Sequence, residues 1–279
     1  MSKFILKKSK LKNIDIKVSS LCLGTHNFFS EKLKKKKDIE KILDVSLNNN
    51  INFFDTADSY TNGKVEQLLG NYFKFNHYKD KVVIATKIGP LIDFNPKFLQ
   101  KSIDDSLRRL KVDCLDICYF HSGENKHFFN EDYWNVMNKN LKNKIKVLGL
   151  SIKSSLIHND DTKQLESSKE YNISLVNLLF NPLFPQAQKK YFNIIKKKKL
   201  DLITRVPFAK GALFSNKVSK YDSFSAIDLE KANLRIAKIK KKNKNLKILK
   251  WVERNSNCKS IVLGCSSEEQ IIKNTKFIN

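Results

Sequence analysis

The stretch INFFDTADSYTNGKVEQLLG, Ile51 to Gly70, decides how the chain reads. INFFDTA (Ile51–Ala57) is an apolar run of strand length that carries an acid, Asp55, near its end. A turn of Asp, Ser, Thr, Asn and Gly follows. Val65, Leu68, Leu69 and Tyr72 then recur at helical spacing. Strand, turn and helix make half of a βαβ unit, and the pattern repeats on both sides.

Upstream, Phe4 to Ile16 reads as a β-hairpin and SSLCLGT (Ser19–Thr25) as a first barrel strand, followed by a helix over 38–48. Downstream come VVIATK (Val82–Lys87), a helix opened by Asn95 and Pro96, and CLDICYFH (Cys114–His121). A helix over 132–142, VLGLS (Val147–Ser151), SLVNLLFN (Ser174–Asn181) and LDLITRVP (Leu200–Pro207) follow, then SIVLGCS (Ser260–Ser266) and a closing helix, Glu268 to Phe277. Near-continuous apolar strands are expected when both faces of a parallel sheet are covered. The expected fold is α/β: a closed (β/α)8 TIM barrel with an N-terminal β-hairpin, one domain over residues 1–279. An open doubly wound sheet competes, but no GxGxxG turn follows any strand. Lys210 to Ile227 reads as a loop of about eighteen residues, long enough to be functional or mobile.

The chain has 279 residues, 41% of them hydrophobic, which suffices for a large core. Lys and Arg number 53 against 28 Asp and Glu, a net charge of +25. Such an excess can serve nucleic acid or an anionic membrane. Here it is mostly Lys spread along the chain, and the runs Lys34–Lys37, Lys196–Lys199 and Lys240–Lys242 fall in expected helices or their ends, where they form solvated faces. No nucleic-acid motif is present, so no nucleic-acid partner is expected. No window approaches the ~20 apolar residues of a membrane span, and MSKFILKKSKLKN is no signal peptide, so a cytoplasmic protein off the membrane is expected. The cysteines Cys22, Cys114, Cys118, Cys258 and Cys265 are odd in number and badly spaced for a disulfide framework or metal knuckle; free thiols and no metal are expected. Composition leaves the oligomeric state open.

In a barrel of this kind chemistry gathers at the C-terminal ends of the strands. Asp55 lies near the end of the second strand with Tyr60 five residues on, Lys87 ends the third and His121 the fourth. A lone Asp or Lys in such a place reads as a paired structural ion. Four converging on one side of the mouth read as acid–base chemistry.

FFDTADSYTNGKVEQLLG, ATKIG, SIDDSLRRLKVDCLDICYFH, KIKVLGLS, VPFAKGALFS and VLGCSSEEQIIKN, in this order and spacing, resemble the successive motifs of the aldo-keto reductase family over nearly the whole chain. The resemblance implies an NAD(P)H-dependent oxidoreductase that reduces a small-molecule carbonyl (aldehyde, ketone or sugar) to an alcohol, or runs the reverse. It makes Tyr60 the general acid. A phenol with an ordinary pKa near ~10 needs help at neutral pH, and a nearby Lys87 ammonium favours the phenolate. Asp55 would hold Lys87, and His121 would orient the carbonyl oxygen where negative charge develops. The alternative is a non-enzymatic, nicotinamide-binding regulatory barrel, which can keep the same four residues.

The same resemblance places the nicotinamide end of the cofactor near Gly24, Thr25 and Asp55. Ser151 and Asn177 match its carboxamide contacts, with Ile152 standing where the family has Asn and Asn177 where it often has Gln. Arg205 stands where many relatives stack a Tyr on the ring, a task a guanidinium plane can also perform. Phe208 and Gly211 would line the pyrophosphate side. Gly264, Ser266 and Ser267 open the last helix, whose N-terminus suits phosphate. Gln270 and Asn274, one turn apart, match the adenosine end. The resemblance makes NADPH the expected cofactor; several relatives carry Arg at the Gln270 position to pair the 2′-phosphate, and its absence here keeps NADH as the alternative. His26, Phe28 and Phe29 are expected as an aromatic substrate wall beside Tyr60 and His121, with Trp134 and the Lys210–Ile227 loop as further candidates. The chain stops at Asn279, directly after the last helix, so an open pocket is expected.

Overall fold

The computed structural model describes residues 6–12, 14–89, 96–214, 226–242 and 247–278. An antiparallel pair, β1 (Lys8–Lys10) and β2 (Lys17–Ser19), opens the chain. Then come β3 (Leu21–Gly24), α1 (Lys36–Asn48), β4 (Phe53–Asp55), α2 (Lys64–Phe75), β5 (Val83–Ile88), α3 (Pro96–Leu110), β6 (Leu115–His121), α4 (Asn125–Phe128), α5 (Glu131–Asn140) and β7 (Ile145–Ser151). The second half runs α6 (Ser154–His158), α7 (Lys163–Glu166), β8 (Leu175–Leu179), α8 (Tyr191–Lys197), β9 (Asp201–Arg205), α9 (Ala226–Lys242), α10 (Ile248–Ser256), β10 (Ser260–Gly264) and α11 (Glu268–Ile278). Strands β3 to β10 are all parallel and close on themselves, with β10 against both β9 and β3. This is the expected TIM barrel with its N-terminal hairpin.

Side chains alternate across each strand and divide the core in two. Phe54, Ile84, Cys118, Phe120, Leu148 and Val176 point outward and pack under the helices. Cys22, Phe53, Val83, Ala85, Ile117, Tyr119, Val147, Leu175, Ile203 and Val262 fill the barrel itself. Leu11, Ile16 and Val18 of the hairpin join this inner cluster, so the hairpin plugs one end of the barrel. Lys12 N–H donates to Asp201 Oδ2 at 2.6 Å and fastens the plug. The other end stays open. Counting on by twos along each strand from these inner residues reaches Gly24, Asp55, Lys87, His121, Ser151, Asn177, Arg205 and Gly264 as the last inward positions, so the alternation that builds the inner core delivers these residues to the mouth.

Several expected boundaries move. Ser19 belongs to the hairpin arm β2, and the first barrel strand starts only at Leu21. Side chains interrupt the ladder there: Ser19 N–H donates to Asn52 Oδ1 and Asn52 N–H to Ser19 Oγ. Phe4 and Ile5 lie outside the described residues, and Ile16 sits in the bend rather than in a strand. The short helix α4 was not expected. Within the expected Lys210–Ile227 loop, residues 215–225 lie outside the described set, and Ile227 already belongs to α9. Lys34–Lys37 are exposed, as a solvated face requires, whereas the side chains of 240–242 lie outside the described set. All five cysteines are free thiols.

Helices α2 and α3 cross unusually closely. A Cβ added at Gly70 would lie 2.1 Å from the Arg109 carbonyl oxygen, which is backbone and cannot swing aside. Gly70→Ala is therefore expected to lower stability by about 1–3 kcal/mol, the usual cost of overpacking. A shift of the urea midpoint measures it, and an unchanged midpoint would mean that the helices do not cross this tightly.

Candidate active site

At the open mouth, β4 and β5 place Asp55 and Lys87 side by side, 4% and 2% exposed. Lys87 Nζ donates to Asp55 Oδ1 at 2.5 Å, to the Thr56 carbonyl at 2.6 Å and to Tyr60 Oη at 3.2 Å. Burial pulls the Lys87 ammonium down, but the Asp55 carboxylate and then Tyr60 outweigh it, and its pKa ends above the ordinary value. Lys87 therefore stays charged. Asp55 Oδ2 accepts from Asn177 Nδ2 at 3.3 Å, so both carboxylate oxygens are engaged.

Tyr60 reaches the pair from the loop between β4 and α2. Thr61, Asn62 and Gly63 all take positive φ there. Gly63 caps α2 in the left-handed conformation, and a Cβ on it would lie 2.8 Å from the Arg109 side chain. Arg109 Nε donates to Glu66 Oε2 at 2.7 Å, and Glu66, fully buried, also accepts from Thr86 Oγ1 and Ser106 Oγ. A buried network thus braces the Tyr60 loop from behind. Sequence reading missed it, although Glu66 sits on the buried face of α2 between Val65 and Leu69, where an acid demands a partner.

The Tyr60 ring stands between two imidazoles, edge-on to His26 at 5.0 Å and to His121 at 6.3 Å between centroids. His121 is pushed down to about 3 by burial first and then by the charges of Lys87, Arg205 and His26. It is neutral at physiological pH, and its buried Nδ1 has no hydrogen-bond partner. Just past it, Ser122 takes φ 47° and shares a hydroxyl contact of 3.1 Å with Ser151. Arg205 ends β9 at the mouth and donates from Nη2 to the Ile152 carbonyl at 2.7 Å. Val206 then turns to φ 59°, a costly conformation for a β-branched residue, with its carbonyl held by Asn181 Nδ2.

Gly24 and Gly264 are register partners, and Gly24 is also partnered with Asp55. Two adjacent strand ends therefore lack side chains: Gly24 is buried, with Val262 Cγ1 2.8 Å from where its Cβ would stand, and Gly264 is exposed. Thr25 is buried with its hydroxyl on the Asp55 carbonyl. Ahead of α11, Ser266 N–H is capped by Gln270 Oε1 at 2.8 Å, and Asn274 turns its amide toward Cys265 Sγ. Phe208 packs on Phe214 at 5.3 Å near Gly211, whose missing side chain would meet nothing within 4 Å. Among the described residues, no group of three His, Cys, Asp or Glu could hold a metal ion, and no helix is long and apolar enough to cross a membrane.

Two expected wall residues are not at the mouth. Phe28 is 1% exposed and lies in the outer core, because its N–H bonds back to the Thr25 carbonyl and Phe29 reverses the chain at φ 61°. Trp134 is 2% exposed, donates to the Phe128 carbonyl and stacks on Tyr171 at 4.7 Å, within the layer under α5. His26, by contrast, is exposed beside Tyr60.

The sequence model of the Aldo/keto reductase family matches residues 20–279. Uncharacterized oxidoreductase YqkF of Bacillus subtilis is 25% identical, covering 98% of this chain and 92% of that protein. Aldo-keto reductase yakc [NADP(+)] of Schizosaccharomyces pombe is 23% identical over 87% of this chain and 72% of its own length. Among solved structures, the holo form of aldo-keto reductase AKR11C1 from Bacillus halodurans superposes with a TM-score of 0.74 at 21% identity, over 98% of this chain and 91% of that one.

Asp58, two residues before Tyr60, carries a buried Oδ1 without a hydrogen-bond partner. Burial first, then the charge of Glu66, raise its carboxyl from 3.8 to about 7, against the Ser59 backbone, Arg109 and Lys87. Between those two values the folded chain holds a proton that the unfolded chain releases. Stability therefore falls as pH rises from about 4 to about 7 and stays low above that. Asp58→Asn is expected to be more stable than wild type at pH 8 by roughly 1–3 kcal/mol, with the gap narrowing toward pH 5. Urea unfolding at both pH values checks it; a gap that does not change with pH would remove Asp58 as its source.

Proposed function

The chain belongs to the aldo/keto reductase family, oxidoreductases of carbonyl substrates, and on that premise we propose that it reduces an aldehyde, ketone or sugar carbonyl to the alcohol, or runs the reverse, with NADPH as cofactor and Tyr60 as proton donor. One observation carries the reading: a buried, charged Lys87 bonded at once to Asp55 and, at 3.2 Å, to the Tyr60 hydroxyl. An ammonium at that distance stabilises the negative charge left on the Tyr60 oxygen as its proton moves to the substrate oxygen. Asp55 keeps Lys87 in place and balances its charge. His121, neutral at working pH, meets the substrate oxygen as a hydrogen-bonding group and leaves the proton transfer to Tyr60. In the reverse direction the Tyr60 phenolate takes the proton of the alcohol.

A bound nicotinamide dinucleotide would supply the hydride. The residues present fit such a molecule: the exposed Gly264 is backbone that a ligand can approach closely, and it leads into the N-terminus of an eleven-residue helix, where a phosphate would take the place of the Gln270 oxygen on Ser266 N–H. Ser151, Asn177, Thr25 and Arg205 would hold the nicotinamide end. Phe208 and Gly211 would flank the pyrophosphate, and Ser266, Ser267, Gln270 and Asn274 the phosphate and adenosine. NADP stands in the name of the fission-yeast relative and supports NADPH over NADH here. His26 would form the exposed side of the substrate pocket.

Tyr60→Phe keeps the ring and removes the proton donor. It is expected to lower turnover ~100- to 10,000-fold with cofactor affinity nearly unchanged. Lys87→Met should do similar damage, and Asp55→Asn less, because it leaves the ammonium in place. Near-wild-type turnover in Tyr60→Phe would remove it as general acid. Fluorescence titration with NADPH and NADH tests the cofactor separately: NADPH should bind more tightly, and no binding of either at millimolar concentration would sink that assignment.

A further inference from the structure

Arg205 is the last residue of β9. In the ring of eight strands β9 stands opposite β5, so Arg205 starts on the far side of the mouth from Lys87. Its guanidinium does not stay on its own strand. Nη2 donates to the Ile152 carbonyl at 2.7 Å, just past the end of β7, so the side chain reaches across the end of β8. Its charge is felt within the mouth. Burial first, then Lys87 and Arg205, push His121 down to about 3. Burial raises the Tyr119 phenol in the inner core, and Arg205 is among the groups that pull against it. A peg on one carbonyl needs only a neutral donor, so the bond to Ile152 does not by itself call for a permanent charge.

The proposed chemistry brackets the same space. The carbonyl oxygen meets Tyr60 and His121, and the hydride-carrying ring has to come within about 3–3.5 Å of the carbonyl carbon. A ring so placed lies between the Tyr60 side of the mouth and the Arg205 side. That ring is neutral while it carries the hydride and a cation once the hydride has gone. The rest of the dinucleotide has the same charge in both forms. A fixed positive charge at the mouth therefore tells the two forms apart. Lys87 adds little to this, because Asp55 offsets its charge at 2.5 Å, and His121 is neutral. His26 stands beside Tyr60 on the exposed side.

We propose that Arg205 sets the preference between the two redox forms of the cofactor: its guanidinium, hung over the mouth from the Ile152 carbonyl, repels the cationic oxidised ring and leaves the neutral reduced ring unopposed. NADPH is then held more tightly than NADP+, and the oxidised cofactor leaves readily once the hydride is on the carbonyl carbon and the Tyr60 proton on its oxygen. This rests on the reading of the mouth as a nicotinamide site.

The test is calorimetric titration of the full-length protein with NADPH and with NADP+ at fixed salt. Wild type should bind NADPH the more tightly of the two. Arg205→Gln and Arg205→Met both remove the charge, and the first keeps a donor for the Ile152 carbonyl. In each, the ratio of the NADP+ to the NADPH dissociation constant should fall roughly 5- to 50-fold, the size of one partly screened charge pair. Arg205→Lys keeps the charge and should keep most of the ratio. Comparing two cofactors within one variant cancels any general damage to folding or to ring packing, because both forms share it. Equal affinities in wild type, an unchanged ratio in the neutral variants, or an equal fall in Arg205→Lys would each overturn the proposal. If wild type binds both forms alike, this inference fails alone; if it binds neither, the nicotinamide reading beneath it fails.

Discussion

The buried pair of Asp55 and Lys87 is the contact on which the mouth of the barrel depends. Both side chains are at most 5% exposed, and their atoms meet at 2.5 Å. A buried ion pair of this kind is weak evidence for stability, because apolar residues of similar volume often serve a fold as well or better. Losing either partner, however, strands a charge in a dry interior. Every neighbour is arranged around that constraint. Thr56 offers its carbonyl to the ammonium, Asn177 offers an amide to the second carboxylate oxygen, and His121 stays neutral partly because two cations already stand near it. A group this demanding, placed at the mouth of the barrel, fits the proton transfer proposed for Tyr60 better than a purely structural task.

The delivery of these groups follows from one rule of strand geometry. A strand of a small closed barrel turns every second side chain inward. The chain fills the lower layers with Phe53, Val83, Ile117, Val147, Leu175, Ile203 and Val262, then changes from apolar to polar or glycine in the last inward layer. Much of this was legible in the sequence. Apolar runs marked the strands to within a residue or two, and Asp55, Lys87 and His121 stood out as polar ends to greasy strands. Period-two counting from the inner residues would also have pointed at Tyr119, a phenol among inner side chains that otherwise carry no hydroxyl.

What the sequence withheld depends on partners distant in the chain. Glu66, Arg109, Thr86 and Ser106 come from α2, α3 and β5 and mean little until the close crossing of α2 and α3 brings them together. Ser19 read as barrel strand because its apolar neighbours continue through it; only its exchange with Asn52 breaks the ladder. Phe28 and Phe29 are adjacent aromatics after a strand end, and the sequence offers no means of telling which one turns inward. A single positive φ at Phe29 decides it. Trp134 lies at helical spacing from Met137 and faces the layer under α5, so its burial belongs to the helix pattern and not to the mouth.

The two ends of the proposed cofactor groove are built on different principles. At the reacting end, charges are buried, paired and fixed before any ligand arrives, so little reorganisation remains to be done there. At the far end the helix N-terminus is satisfied by its own residues: Gln270 occupies the Ser266 N–H, Glu268 and Glu269 stand in the first turn, and the segment lies partly in solvent. A phosphate seated there has to displace the Gln270 oxygen and accept two nearby carboxylates, whose repulsion water and salt screen. Binding at that end is thus an exchange of one set of hydrogen bonds for another. The proposed nicotinamide end differs in this respect, because Arg205 and Ser151 are already held by protein partners and have no such exchange to make.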